Sequence, residues 1–432
     1  MPERAMRKLM SLFLVLGACV LLSACSKEAG LPTEITLIHG WGSTENDHVV
    51  MREIYGNFAK ENPDIRLNLI SMPTSTEAIS KVEDMVMVGK IPDILFLGGG
   101  KKNTLYEHMA KKHLALDMMP FLEQDPAFLK NISPTNLKYW TTENGALYNI
   151  SDVLSLSGGY WYDVDILAAA GFNQAPSTWE GFVEMCRAIN TWALHEKKDI
   201  KALQPSSEGY LYFLGHLLAD HDPGFPSRHT TPDDAQILRA FEALEALYDQ
   251  SFSGNGHYSY LDETSLFNQG KLAISINGVW GAPMIHPKKN VAYALIPFSE
   301  GSLSCISSGQ GFLLGKTGDP VREQASVRFL KYMLSPQVQE RILKQTQQVP
   351  ANPNIDIKKY ADSFPRFYQA VETVQSAGQS IEIPNLLWSD QQFDLILNQV
   401  FSVLSGEMDK QDFLDLFHQA ARQREMASGD AN

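Results

Sequence analysis

Pro92-Asp93-Ile94-Leu95-Phe96-Leu97 runs directly into Gly98-Gly99-Gly100. Four apolar residues in a row, bounded by Pro and Gly, read as a strand buried on both faces, as in the middle of a parallel sheet. Upstream, Ile79, Val82 and Val86 recur at helical spacing, with Gly89 placed to end that helix. Further upstream, Ile65, Leu67 and Leu69 alternate with Arg66 and Asn68, the period of a strand. Val50, Ile54 and Phe58 mark an earlier helix that Asn46 or Asp47 can open and that stops before Asn62-Pro63. Ile35 to Ile38 is the first short apolar run. Strand, helix, strand, helix, strand predicts an α/β lobe with a largely parallel sheet.

Downstream the chain becomes more helical. Ser177-Thr178-Trp179-Glu180 has the spacing of a capping box and predicts a helix to about Trp192. Thr231-Pro232 predicts another, with Ile237, Phe241, Leu244 and Tyr248 on one face. Strands are expected at Lys271–Ile276 and Val291–Pro297, with Asn277-Gly278 turning the chain between them. Asp319-Pro320 and Ser335-Pro336 each open a helix, and two amphipathic helices follow near 389–404 and 410–422. No internal repeat or low-complexity segment is present.

The 432 residues are 44% hydrophobic, 10% aromatic and 20% charged, an ordinary globular composition that rules out a disordered or collagen-like chain. Lys plus Arg number 36 against 50 Asp plus Glu, a net charge of -14, which lacks the basic footprint that nucleic-acid binding needs. Four cysteines exclude a disulfide scaffold, and Cys186 and Cys305 read as buried free thiols, with a disulfide between them as the alternative.

The first residues read as an address. Arg4, Arg7 and Lys8 precede an apolar run from Leu9 to Leu22, shorter than the roughly twenty residues a spanning helix needs. The run ends at Leu22-Ser23-Ala24-Cys25, similar to the lipobox of bacterial lipoproteins, in which the Cys receives a lipid and becomes the first residue after cleavage. A plain secretory signal cleaved near Ala24 is the alternative. Removing residues 1–24 takes away three positive charges and one negative, so -14 becomes -16.

Enzymatic readings find little support. Leu37-Ile38-His39-Gly40-Trp41-Gly42 is similar to the loop that supplies oxyanion donors in α/β-hydrolases, but no Gly-x-Ser-x-Gly elbow exists to carry a nucleophile. Ser307-Ser308-Gly309-Gln310-Gly311 comes nearest and lacks the first Gly. There is no phosphate-binding Gly-x-x-x-x-Gly-Lys-Ser/Thr, no Gly-x-Gly-x-x-Gly, no His-x-x-x-His and no Cys-x-x-Cys, so no cofactor or metal is expected.

Five stretches, in order, carry a resemblance. They are Pro92–Leu95 with its Gly-rich turn, and Tyr160-Trp161-Tyr162-Asp163 followed by Ala170-Gly171-Phe172 and Pro176–Glu180. Next come Phe267–Ile274 with Ile276-Asn277-Gly278-Val279-Trp280, and then Gly309-Gln310-Gly311-Phe312 with Ala325–Tyr332, Leu334–Gln339 and Val349-Pro350-Ala351-Asn352. The last is Ile383-Pro384-Asn385 with Trp388. Together they resemble the extracellular solute-binding proteins of family 1, the sugar-binding subunits of bacterial ABC importers of the maltose-binding-protein type. Two stretches depart from that pattern: Tyr148–Asp152 has no Pro on its approach to the hinge, and Gly278-Val279-Trp280 replaces the commoner Gly-Pro-Trp.

The resemblance implies an α/β protein of the periplasmic-binding-protein type II fold, two lobes around a hinged cleft. Residues 1–24 would be the signal peptide, 25–33 a tether, 34–152 and 297–345 the N-terminal lobe, 153–296 and 346–423 the C-terminal lobe, and 424–432 a tail. Crossings between lobes would fall near 152–157, 291–297 and 345–350. Aromatic faces suit the C–H faces of sugars, and carboxylates or amides suit their hydroxyl edges. The implied ligand residues are Trp41, Trp280, Trp388 and Tyr210, with Tyr212 as an alternative to Tyr210, together with Glu45, Asp152, Gly98, Gly99 and Gln310. Asp93, Trp161 and Trp179 are expected to be structural, and His39 to have no chemistry. The implied partners are a small carbohydrate, ABC permease subunits and a membrane reached through lipid on Cys25, for a monomer outside the cytoplasm. A polyamine or phosphodiester solute, a protein partner for a surface lipoprotein, and a lipid-anchored α/β-hydrolase are the competing readings.

Overall fold

The computed structural model describes residues 31–97, 104–221, 232–250, 259–298, 301–382 and 388–428. Cys25, Gly98 and Gly99 therefore lie outside the described residues. Three sheets organise the molecule. The first has the order β2-β1-β3-β11-β4, formed by Ile65–Ser71 (β2), Thr33–His39 (β1), Ile94–Leu97 (β3), Gly311–Leu314 (β11) and Asn149–Ile150 (β4). β1 runs parallel to β2 and β3. All four residues of β3 are buried, in keeping with its unbroken apolar run. The parallel character stops there: β11 returns from far along the chain and lies antiparallel to both β3 and β4.

Helices 46–61 and 75–87 cover this sheet with Val50, Ile54, Tyr55, Phe58 and Val82. Glu45 occupies the N-cap of the first and makes no side-chain cap bond, so neither Asn46 nor Asp47 serves as the cap. The second opens on a reciprocal Thr74/Glu77 box, which holds two otherwise unpaired backbone N–H groups. Asp93 is fully buried and accepts hydrogen bonds from Thr36 N–H (2.8 Å) and the Arg322 guanidinium (2.7 Å), so it pins helix 320–333 to the sheet.

The second lobe is built on a smaller sheet in which Gly159–Asp163 (β6) lies antiparallel between Ile274–Ser275 (β7) and Val291–Leu295 (β8). Helices 179–195, 207–221, 234–248 and 390–404 bury Phe182, Phe213, Phe241 and Ile396 together. Trp161 and Trp179 are buried packing residues, as expected. Two helix starts differ from expectation. Thr178 caps 179–195 through Gly181 N–H, without a Ser177/Glu180 box. Helix 234–248 opens on an Asp233/Gln236 box just past Pro232. In both, the oxygen nearest the first free N–H groups is the one that caps.

Between the lobes lies a third sheet of order β12-β5-β10-β13, formed by Val349–Pro350 (β12), Val153–Ser157 (β5), Gly301–Ser307 (β10) and Gln379–Ile381 (β13), with Pro297–Phe298 (β9) paired to β10. β5 and β10 are antiparallel, with Ser155 opposite Ser307 and Ser157 opposite Cys305. The crossing expected near 291–297 is thus corrected: β8 belongs to the second-lobe sheet, and the chain crosses through β10. Leu303 and Cys305, expected in the first lobe, pack in the second-lobe core, whereas Phe312 packs in the first. Gly158 turns β5 into β6 at φ +102°, where a Cβ would sit 2.9 Å from the Cys305 nitrogen and the Leu303 carbonyl oxygen, so only glycine fits there. Cys186 and Cys305 are both buried and unpaired. No helix among the described residues is long and apolar enough to cross a membrane.

Candidate functional site

A cleft of about 1070 Å³ opens between the lobes, floored by the crossing strands. Trp41, Glu45 and Glu83 line it from the first lobe, Ser155, Ser307 and Gln310 from the floor, and Tyr212, Trp280 and Trp388 from the second lobe.

Each wall has a local cause. Trp41 follows β1, and Arg52 from helix 46–61 donates to the carbonyls of Trp41 and Ser43 (2.8 Å for Ser43), clamping the loop. The Trp41 ring then rests edge-on to His48 (4.8 Å) and tilted on Phe96 (5.2 Å). Trp280 lies in the short 3-10 turn Val279–Met284, its ring folded over Gly278, where a Cβ would meet ring carbons at 2.2 Å. Trp388 is 3% exposed and packs edge-on against Phe417 at 5.6 Å, leaving only a sliver of ring at the cleft.

The cleft therefore brings Trp41, Glu45, Gln310, Trp280 and Trp388 together. Two expected contacts lie elsewhere. Tyr210 is fully buried, its ring against Phe401 (5.4 Å) and Tyr248 (6.2 Å), and Tyr212 faces the cleft in its place. Two residues along a helix is a rotation of about 200°, so only one of the pair can face the cleft. Asp152 is fully buried below the floor, outside the cleft lining. Its backbone carbonyl accepts from Gln339 Nε2 (2.8 Å) and Ala351 N–H (3.2 Å), while neither carboxylate oxygen finds a partner, and burial pushes the carboxyl up to about 7.

Several lining residues escaped the sequence reading: Glu83, Glu208, Asn277, Asp390, Phe393 and Asp394. Asn277 lies within a stretch already singled out, and Glu208 lies two residues before Tyr210, so their neighbours carried the signal. The others belong to helix faces whose outward positions look like any solvated surface. Glu208 opens to the cleft deep between the lobes, and that desolvation holds its carboxyl above the usual range. Burial, and next the Asp390 charge, raise Glu83 and Asp394 in the same way.

The polar groups near Trp41 do not make a metal site or a catalytic pair. Glu45, Asp47 and His48 converge, but His48 Nδ1 faces the Ser43 N–H (3.2 Å) and hydroxyl (2.7 Å) as an acceptor. The ring proton then sits on Nε2, toward Glu45 at 4.0 Å, where a metal would need a lone pair. Ser43 Oγ accepts from Glu45 N–H at 3.2 Å, so these bonds close the loop ahead of helix 46–61. His39 is buried with Nδ1 accepting from Trp41 N–H and Nε2 beside Ser71 Oγ, and burial first, then the Arg52 and His48 charges, push it down to about 4.

The arrangement can grip a solute from two sides, and comparison with known proteins agrees with it. Residues 53–365 match the profile of the bacterial extracellular solute-binding proteins. The Escherichia coli K12 protein provisionally named ABC transporter periplasmic-binding protein YcjN is 24% identical over 295 residues, which cover 66% of this chain and 65% of that protein. Among solved structures, a Streptococcus pneumoniae solute-binding protein in complex with the blood group A-trisaccharide shares the fold with a TM-score of 0.74 at 20% identity, over 92% of this chain and 100% of that one. Maltose-bound MalE3 of T. maritima aligns with a TM-score of 0.72 at 18% identity, over 91% and 99%. With two α/β lobes enclosing a cleft and that profile matched over residues 53–365, the chain belongs to the bacterial extracellular solute-binding protein family, whose members bind a solute and do not convert it.

Proposed function

We propose that this protein captures an oligosaccharide outside the cytoplasm and hands it to the permease of an ABC importer, working as a monomer held at the membrane by lipid on Cys25. The observation that carries the sugar assignment is the presence of aromatic rings on opposite walls of one cleft, Trp41 from the first lobe and Tyr212 and Trp280 from the second. Rings on two lobes can sandwich the C–H faces of a sugar, while Gln310, Asn277 and the carboxylates meet its hydroxyls. Closure then gains contacts that the open form lacks, which is how a ligand favours one state. Relatives of the same fold named for a trisaccharide, a chitin oligosaccharide and maltose support the class. No Lys or Arg lines the cleft among the described residues, which argues against a phosphodiester.

A panel of oligosaccharides read by thermal shift and tryptophan fluorescence tests this. A cognate sugar raises the melting temperature and quenches fluorescence, and Trp280→Ala removes both effects. A panel without any shift, while a phosphodiester gives one, overturns the sugar assignment. Cys25→Ser, followed by fractionation and fatty-acid labelling, tests the anchor, and release of an unlabelled protein is the expected result.

A further inference from the structure

The charge of the cleft narrows the solute further, granting the sugar reading above. Six carboxylates line it: Glu45, Asp47 and Glu83 from the first lobe, and Glu208, Asp390 and Asp394 from the second. Among the described residues no lysine, arginine or histidine lines it; Lys101 and Lys102 lie outside them. Three of the six are engaged within the protein. Asp390 accepts from Thr104, Asp47 from the His48 N–H, and Glu45 stands 4.0 Å from His48 Nε2. Glu83, Glu208 and Asp394 have neither a hydrogen-bond nor a cationic partner among the described residues.

The site is the cleft itself, defined by its volume, its two walls and its rings. The carboxylates say what must enter it. Closing two lobes over a neutral solute moves like charges from both walls into a smaller, drier space, where each repulsion strengthens as the effective dielectric falls. Sugar hydroxyls can donate hydrogen bonds to carboxylates, but they cancel no charge. A protonated amine does both, and it is attracted to aromatic faces such as Trp41, Tyr212 and Trp280 as well. We propose that the solute is an oligosaccharide carrying at least one protonated amine, held by its ring faces on the aromatic residues and by its ammonium group among Glu83, Glu208 and Asp394.

Matched ligands separate this from its alternatives. The mature chain is titrated with glucosamine and galactosamine oligomers, with the same oligomers fully N-acetylated, with neutral hexose oligomers and with spermidine. The amine oligomer is expected to bind at least ~10-fold more tightly than its N-acetylated twin at low salt, with most of that advantage lost by about 0.5 M salt as screening shortens the reach of the carboxylates. Glu208→Gln and Asp394→Asn are expected to weaken the amine oligomer several-fold more than they weaken any neutral sugar, with an unchanged unliganded melting temperature showing that the variants fold. Equal or tighter binding of the N-acetylated or neutral sugars overturns this inference and leaves the sugar receptor standing. Binding of spermidine alone, or of none of the probes, overturns both.

Discussion

Asp390, in the first turn of helix 390–404 of the second lobe, accepts hydrogen bonds from both the N–H (3.0 Å) and the hydroxyl (2.8 Å) of Thr104, the first residue of helix 104–111 in the first lobe. A carboxylate at a helix N-terminus is favoured by the free N–H groups and the helix dipole. The pair therefore joins the lobes directly, beside a cleft that Asp390 also lines.

Removing that bond should loosen the joined form. Asp390→Ala is expected to raise the radius of gyration in solution scattering and to lower solute affinity by roughly 5–10-fold, about the net value of one ordinary hydrogen bond. An unchanged scattering curve and affinity would mean that the contact carries no closure energy.

Gly278 should control Trp280 without touching the solute. Its Cβ would lie 2.2 Å from the Trp280 ring, so Gly278→Ala forces the ring away. The expected result is a loss of tryptophan quenching on ligand addition, close to that of Trp280→Ala, with a fall of no more than a few degrees in melting temperature. Wild-type affinity in Gly278→Ala would remove Trp280 from the binding surface.

Asp152 should make stability depend on pH. Its folded-state value of about 7 lies above the ordinary carboxylate value of 3.8, so the folded state holds a proton that the unfolded state releases between these limits. Stability from this group is full below about pH 4 and is lost as pH rises toward and past 7. Asp152→Asn is expected to gain on the order of 2 kcal/mol relative to the parent at pH 8 and little at pH 4.5, by denaturant titration at both. Glu263, buried and pushed up to about 8, adds a contribution of the same sign, so the variant keeps part of the slope.

Arg322→Ala should be costly because it strands a charge. Asp93 is fully buried and would keep only the Thr36 N–H. A loss of about 3–4 kcal/mol is expected, with the double change Asp93→Asn, Arg322→Ala recovering part of it. Chemical denaturation measures both. A loss under 1 kcal/mol for Arg322→Ala would show that Asp93 needs no cation.

Local sequence determined the elements of this protein and the residue types available to its cleft. Burial of β3 on both faces, the helical repeats at 50–58 and 79–86, and the proline-led helices after Asp319 and Ser335 all follow from short-range spacing and backbone sterics. Trp41 was legible as a tryptophan at the end of the first strand, and Trp280 and Trp388 through the resemblance of their stretches to the solute-binding pattern. Tertiary structure alone decided which strands cross between lobes, since the apolar run Val291–Leu295 announces a strand but names no partner, and the partner is β6. It also decided that Tyr212 and not Tyr210 faces the cleft, because that depends on how helix 207–221 is rotated against Phe401 and Tyr248. Asp152 went below the floor, and Glu83, Glu208 and Asp394 came to one cleft, for the same reason: burial and convergence depend on contacts between residues far apart in the chain, which periodicity along it does not encode.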